Sequence, residues 1–258
     1  MSVDELCERL RTSFARGLGV RRRDRAETRA AMLAVYRALY AGDPDHVVFV
    51  SSPLAGAFAA GLVPLFHNDS LGVSRAPADL GAEAAAPAGL VEDLHRQMTA
   101  SIPLVRHALP RGRENLAEDR LWSAVYAAVE ESLGREAAEE CYVTTFHQDF
   151  LQWDEAIMDG LENDLPDDWY GYRDVFSVSR LCDSRWAGIL AELGVPGLEG
   201  WQPFVEAARV TDHFWVRPGY LVVCDPAEGD VDGREDSAWP PPALRWPDGW
   251  EVCGGARR

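Results

Sequence analysis

The pattern of apolar and polar positions predicts helices over most of the chain before Gly200. The clearest early example follows Asp24, which with Glu27 has the spacing of a capping box. Its apolar residues then repeat at the helical period: Met32, Leu33, Tyr36, Leu39 and Tyr40. Further helices are predicted from about Ala88 to Ala100, over 118–134 and over 175–194. The pattern from Arg135 to Leu161 is also helical, with an interruption at 144–146.

Strand patterns are few and fall mainly after Gly200. "HVVFV", His46–Val50, is a short run of β-branched and aromatic residues that predicts a buried strand. "FWVRPGYLVVCDP" and "ALRWPDGWEV" predict further strands, the second as a hairpin with Asp248-Gly249 as a type I′ turn. The sequence therefore predicts an α+β fold: a mainly helical body over 1–200 and a β-rich part over 201–258, packed into one compact unit.

Charge and composition narrow the chemistry. The chain of 258 residues has a formal net charge of −17 and no lysine, so all 25 basic residues are arginine. The negative charge argues against nucleic-acid binding, which needs a basic surface. The missing lysine excludes Schiff-base chemistry, a pyridoxal-phosphate anchor and a Walker-type phosphate site. A cation that holds an anionic ligand must therefore be an arginine or a metal.

Location and redox state are also predicted from the residue pattern. No apolar run approaches the about 18 residues of a spanning helix, and the N-terminal "MSVDELCERL" lacks the order of a signal peptide. The five cysteines lie far apart and form no C-x-x-C pair, which favours reduced thiols over disulfides or zinc. We therefore expect a cytoplasmic protein that does not bind membranes.

The C-terminal segment from Arg217 to Val252 resembles the signature of an uncharacterised bacterial family of domains of unknown function. Members carry Arg-Pro, an Asp, a Gly-Arg-Leu-His stretch, Gly-Pro-Ala and a Trp-x-Asp-Gly-Trp hairpin, which Trp246–Trp250 matches closely. The resemblance extends to Ser51–Leu54 within an Asp-Ser-Pro-Leu block, to His147–Leu151 and to a Trp-Pro-Phe block at 201–204. The resemblance implies that residues Val47–Val252 are homologous to this family, for which no activity is known.

Two departures from the family pattern concern a histidine and a loop. The Leu-His that follows Gly-Arg in the family is Glu235-Asp236 here, and the Gly-Pro-Ala loop is Pro241-Pro242-Ala243. A role for the family histidine therefore does not transfer to this chain.

The junction after the first predicted strand is a candidate anion site. Ser52 suits an N-cap and Pro53 the first helical position, so backbone N–H groups would point outward there, and Ser51 could add a hydroxyl. The alternative is an ordinary capped helix whose small residues (Ala55, Gly56, Ala59, Ala60 and Gly61) allow close packing. A nucleophilic serine is not favoured, because no glycine elbow flanks it.

Histidines and carboxylates suggest two further kinds of site. His147 and Asp149, followed by His213, have the order of the triad that binds Fe(II) in 2-oxo-acid oxygenases, with Arg217 as partner for the 2-oxo acid. The surrounding pattern is helical, however, and residues i and i+2 of a helix diverge by about 200°. A helix would instead place His147 beside Asp154, where it could act as an acid or base or remain a buried structural histidine.

Two polar segments could each contribute to a ligand site, the first in the same cleft as Ser51 and Ser52, or be exposed loops. "FHNDS", which contains His67 and Asp69, directly follows the apolar run and predicts a turn. "DLPDDWYGYRD" combines acidic and aromatic residues that could clamp a cationic ligand or act as a lid. Trp246 and Trp250 of the later hairpin are interpreted as structural aromatics.

The leading hypothesis is an intracellular enzyme, or enzyme-like binder, for a small anionic molecule or a peptide carboxylate. Ser51, Ser52, Pro53, His67, Asp69, His213 and Arg217 would bind the ligand, while His147 with Asp149 or Asp154 would transfer protons. A non-catalytic adaptor protein and an iron oxygenase that uses His147, Asp149 and His213 are the alternatives. The sequence specifies no cofactor and no oligomeric state.

Overall fold

The computed structural model describes residues 24–40, 42–70, 85–100, 151–166, 199–211, 213–217, 219–227 and 243–253, with a few isolated positions elsewhere. Its helices are α1 (Arg25–Leu39), α2 (Pro53–Ser70), α3 (Leu90–Ala100), α4 (Leu151–Asp164) and α5 (Gln202–Ala208), the last preceded by a 3-10 turn at Glu199–Trp201. Its strands are β1 (His46–Val50), β2 (Phe214–Arg217), β3 (Tyr220–Cys224), β4 (Ala243–Arg245) and β5 (Glu251–Cys253). The predicted α+β class is confirmed.

The core is built on a three-stranded mixed sheet in the order β1-β3-β2. β1 runs parallel to β3, with His46 opposite Tyr220 and Val50 opposite Cys224. β2 is antiparallel to β3, with Arg217 opposite Tyr220. Every residue of β1 and β3 is buried, as expected for a strand pair covered on both faces.

α2 packs closely on one face of this sheet. A Cβ built at Gly56 would stand 2.2 Å from Cζ3 of Trp215, so only a glycine fits at that point. The Tyr220 hydroxyl donates a hydrogen bond of 2.9 Å to the carbonyl oxygen of Ala60. The small residues that the sequence places on this helix therefore serve close contact with β2 and β3.

α1 covers the opposite face. The guanidinium carbons of Arg25 and Arg29 lie 5.3 and 5.9 Å from the centre of the Phe49 ring, which points away from α2. The Tyr36 hydroxyl accepts a 2.8 Å hydrogen bond from the backbone N–H of Gly219. α5 packs along α1, which adds a second helix to this layer. Asp24 caps α1 as predicted, its carboxylate accepting from the Ala26 N–H at 2.9 Å.

The outer edge of β1 is closed by side chains. The Gln97 carboxamide accepts from the N–H of Phe49 at 2.8 Å and donates to its carbonyl at 2.7 Å, as a neighbouring strand would. Arg29 donates to the carbonyl oxygen of Val47 at 3.4 Å. These contacts satisfy backbone groups that would otherwise form an open sheet edge.

β4 and β5 form a separate two-stranded hairpin. Its turn differs from the predicted type I′ turn, because among the described residues only glycines have positive φ, so Asp248 does not. The N–H of Gly249 donates to the carbonyl of Trp246 at 2.9 Å, and Gly249 has φ +88°. Pro247 and Asp248 therefore occupy the central positions of a type I turn, followed by a glycine bulge.

The segment 201–258 contains the strands β2 to β5 and, in addition, the helix α5. One further prediction from the pattern is corrected. Phe66–Ser70 continues α2 rather than forming a turn, because the turn preference of Asn and Asp is weaker than the tendency of a helix to propagate. No helix among the described residues is both long and apolar enough to cross a membrane.

Candidate functional site

The carboxyl edge of the β1–β3 pair gathers several polar residues. Ser51 and Ser52 follow β1, and Asp225 follows β3. Because β2 runs the other way, His213 at its start lies at the same edge. The backbone N–H of Cys224 donates to the His213 carbonyl at 3.0 Å, which fixes this position. Ligands of open sheets with parallel strands commonly bind at this kind of edge.

Ser52 caps α2 and is fully buried, with 0% of its surface exposed. Its hydroxyl accepts from the N–H of Ala55 at 3.1 Å, and its carbonyl accepts from the N–H of Gly56 at 2.9 Å. The Cys224 thiol also donates to that carbonyl, at 3.3 Å. Ser52, together with the buried Pro53, therefore begins the helix as predicted, and its hydroxyl is already engaged.

Ser51 is half-buried and bonds to the hairpin turn. Its hydroxyl donates to a carboxylate oxygen of Asp248 at 3.0 Å. Asp225, at the end of β3, lies 3.4 Å from the guanidinium of Arg25. Arg25 balances the charge of Asp225, whereas the Asp248 carboxylate stands at the outer rim of this edge, where it opposes an approaching anion despite the positive end of α2.

His213 lies beneath this rim. It is 1% exposed, and neither ring nitrogen has a hydrogen-bond partner in the part of the chain that the structure describes. Its ring meets that of Trp246 edge to face, with centres 6.2 Å apart. Trp246 is also 1% exposed, and its indole N–H likewise has no partner among the described residues.

Burial determines the protonation state of His213. Desolvation lowers its pKa from 6.5 to about 3, so the imidazole is neutral at physiological pH. A neutral imidazole has one donor and one acceptor nitrogen, and the Trp246 indole adds a second donor. With so low a pKa, His213 is a hydrogen-bonding group rather than an acid or base near pH 7.

Arg217 lies at the opposite edge of the sheet from Ser51. It pairs with Tyr220, four positions along β3 from Cys224, which is about 13 Å at the usual strand rise. The guanidinium hydrogen-bonds to the Tyr220 hydroxyl, whose pKa is nevertheless raised to about 12 because the phenol is buried. The predicted pairing of Arg217 with the Ser51 junction is therefore not found.

The other predicted residues do not join this group. His67 and Asp69, described by their helix backbone, follow Pro53 by about four turns of α2, roughly 20 Å along its axis. Asp154 is likewise described by its backbone, in the first turn of α4. His147 and Asp149 lie outside the described residues, as does most of the acidic aromatic segment before Asp174. Among the described residues, no group of three or more His, Cys, Asp or Glu could hold a metal ion.

The hairpin contributes residues for which the sequence predicts only a structural role. Trp246 contacts His213, Asp248 contacts Ser51, and Trp250 donates from its indole to a carboxylate oxygen of Asp164 at 2.8 Å. The sequence signal at these positions is the Trp246–Trp250 motif, on which the predicted resemblance to a family is based most closely.

No protein-family model matches the chain, and no curated protein or solved structure is significantly similar to it. The family resemblance at the C-terminal segment therefore stays a prediction.

Proposed function

We propose that the protein binds a small molecule bearing a carboxylate or carbonyl group at the carboxyl edge of β1 and β3. The observation that carries this proposal is the buried, neutral His213, whose ring nitrogens have no partner among the described residues. A buried polar group without a partner costs about 1–3 kcal/mol, so such groups usually serve a function or meet a ligand or water.

The buried N–H groups favour a ligand that carries hydrogen-bond acceptors. The imidazole N–H and the Trp246 indole N–H both need acceptors, and the carbonyl or carboxylate oxygen is the common biological acceptor. Asp248 at the rim favours a ligand that also carries a hydrogen-bond donor or a positive charge at its other end. An amino acid or a peptide terminus has both features.

Catalysis at this site would need groups beyond His213. Proton transfer by His147 with Asp149 or Asp154 stays a prediction, as do the adaptor and iron-oxygenase alternatives. The proposal is therefore limited to ligand binding, which the following experiment tests.

Thermal unfolding with a ligand panel tests the proposal. The panel contains aliphatic and aromatic amino acids, the matching carboxylic acids and the matching primary amines. We expect at least one carboxylate-bearing compound to raise the Tm of the wild type in a concentration-dependent way, because a ligand that binds only the folded state stabilises it. The matching amine, which lacks the acceptor, should not.

A variant of His213 tests whether the ligand-induced rise in Tm depends on this side chain. His213→Leu keeps a side chain of similar size without nitrogen atoms, and it should fold with equal or higher stability because it removes an unsatisfied buried group. It should also lose the ligand-induced shift. If no carboxylate shifts the wild type, or if His213→Leu shifts equally, the proposed site is wrong.

A further inference from the structure

We infer that the β4–β5 hairpin, Ala243–Cys253, is a cover that opens to admit ligand to His213. The inference rests on the proposed function, since it concerns access to the same site. A side chain that is 1% exposed cannot meet a ligand from solvent unless a neighbouring element moves. The hairpin is the described element whose aromatic ring lies against the imidazole, through Trp246.

The hairpin is attached differently from the strands of the main sheet. β4 and β5 pair only with each other within the described part of the chain, whereas β1, β2 and β3 share one hydrogen-bonded sheet. The hairpin side chains Leu244, Trp246 and Val252 are buried in the core, and side-chain hydrogen bonds add to this attachment, among them Ser51 to Asp248 at 3.0 Å and the Trp250 indole to Asp164 at 2.8 Å. The hairpin can therefore separate without breaking the backbone ladder of the sheet.

The two side-chain hydrogen bonds hold the hairpin to two different elements. Pro247, Asp248 and Gly249 of the turn are exposed, while Trp246 is buried against His213. α4 also approaches the hairpin closely: a Cβ at Gly160 would stand 2.9 Å from Val252 and 3.2 Å from Trp250. Ser51, after β1, and Asp164, at the end of α4, thus each hold the hairpin by one hydrogen bond.

The geometry also indicates which of these two hydrogen bonds can be removed without changing the hairpin itself. Asp248 accepts a second hydrogen bond, from the backbone N–H of Trp250 at 3.2 Å, so replacing it would alter the turn itself. Ser51 makes its bond from outside the hairpin and follows the last residue of β1. Ser51→Ala therefore loosens the attachment and leaves the hairpin intact.

Hydrogen exchange on the full-length protein, read by mass spectrometry, tests the inference. We expect the ladder amides of the hairpin to exchange faster than those of β1 and β3, because local opening precedes global unfolding. Loss of one hydrogen bond in Ser51→Ala should speed hairpin exchange about fivefold and leave β1 and β3 unchanged. Asp164→Ala should act in the same way.

Arg37→Ala is the matched control. It removes a surface ion pair with Asp43, which lies near the amino end of β1 and away from the hairpin. It should leave hairpin exchange unchanged. Equal exchange rates in the hairpin and β3, or an equal response to all three variants, would show that the hairpin opens only with the whole protein and would overturn the inference.

The outcome is separable from that of the ligand panel. If the hairpin opens locally but no carboxylate stabilises the protein, the hairpin is a cover and the proposed function is wrong. If a carboxylate binds through His213 but the hairpin exchanges together with β3, the proposed function holds and the hairpin is not a cover. If both hold, the bound carboxylate should slow hairpin exchange in the wild type and not in His213→Leu.

Discussion

The imidazole of His213 is held in surroundings that disfavour its charged form. It is buried beside Trp246 without a described partner, and burial lowers its pKa to about 3. The residue type alone suggested a metal ligand or a group that meets an anion. Whether a histidine is a cation, a base or a neutral hydrogen-bonding group depends on its solvation, which the fold determines.

The buried His213 should make stability depend on pH. Between about pH 6.5 and pH 3 the unfolded chain binds a proton at this side chain and the folded chain does not. The free energy of unfolding therefore falls as the pH decreases through this window. His213→Leu lacks this loss, so its stability relative to the wild type should rise on acidification, by on the order of 2 kcal/mol between pH 7.5 and pH 5.

Urea denaturation of both proteins at pH 7.5, 6 and 5 measures this difference. Comparison of the two proteins cancels the contributions of the groups that they share. A stability difference that does not change with pH would mean that His213 has the same pKa in the folded and the unfolded protein, and therefore that the imidazole is not desolvated by the fold.

At the scale of elements, the fit of α2 on the sheet depends on Gly56. A Cβ at this position would stand 2.2 and 2.6 Å from two carbons of the Trp215 ring and 2.9 Å from the Cys224 sulfur. The run of small residues predicted close packing, and Ala55, Ala57, Ala59 and Ala60 are indeed buried. The partner that required the glycine, a tryptophan over 150 residues later in the chain, was not predictable from local pattern.

Gly56→Ala should destabilise the protein by about 1–3 kcal/mol through overpacking, although the same change in an open helix would be stabilising. Trp215→Phe removes the two ring carbons that crowd this position. The double variant should therefore lose less stability than the sum of the single variants. Urea denaturation of the four proteins gives this coupling energy, and strict additivity would contradict the close contact.

At the scale of the whole molecule, the central sheet joins distant parts of the chain. β1 belongs to the segment predicted as a helical body, and its only strand partner in the described sheet, β3, belongs to the segment after Gly200. The polar edge that forms the candidate site arises from this pairing, because it brings Ser51 and His213 to the same end of the sheet.

The segment 1–200 should not fold alone. Without β3, the buried strand β1 loses its backbone partners and α2 loses the surface on which it packs. We expect this fragment to lack a cooperative urea transition, and mixing it with a 201–258 fragment to restore one at least in part. A cooperative transition of the fragment alone would indicate that the helical body is an independent domain.

The elements that depend on local pattern could be predicted from the amino-acid sequence. The capped helix α1, the strand β1, the Ser52-Pro53 helix start and the α+β class follow from period, capping residues and β-branched runs, which act over a few neighbours. Apart from the helix caps, the roles of the site side chains were not predictable from local pattern. Tertiary contacts place Arg217 away from Ser51, bury His213 in its neutral form, and bring Asp248 and Trp246 over the polar edge of the sheet. These depend on strand order and burial, which are set by contacts between residues far apart in the chain.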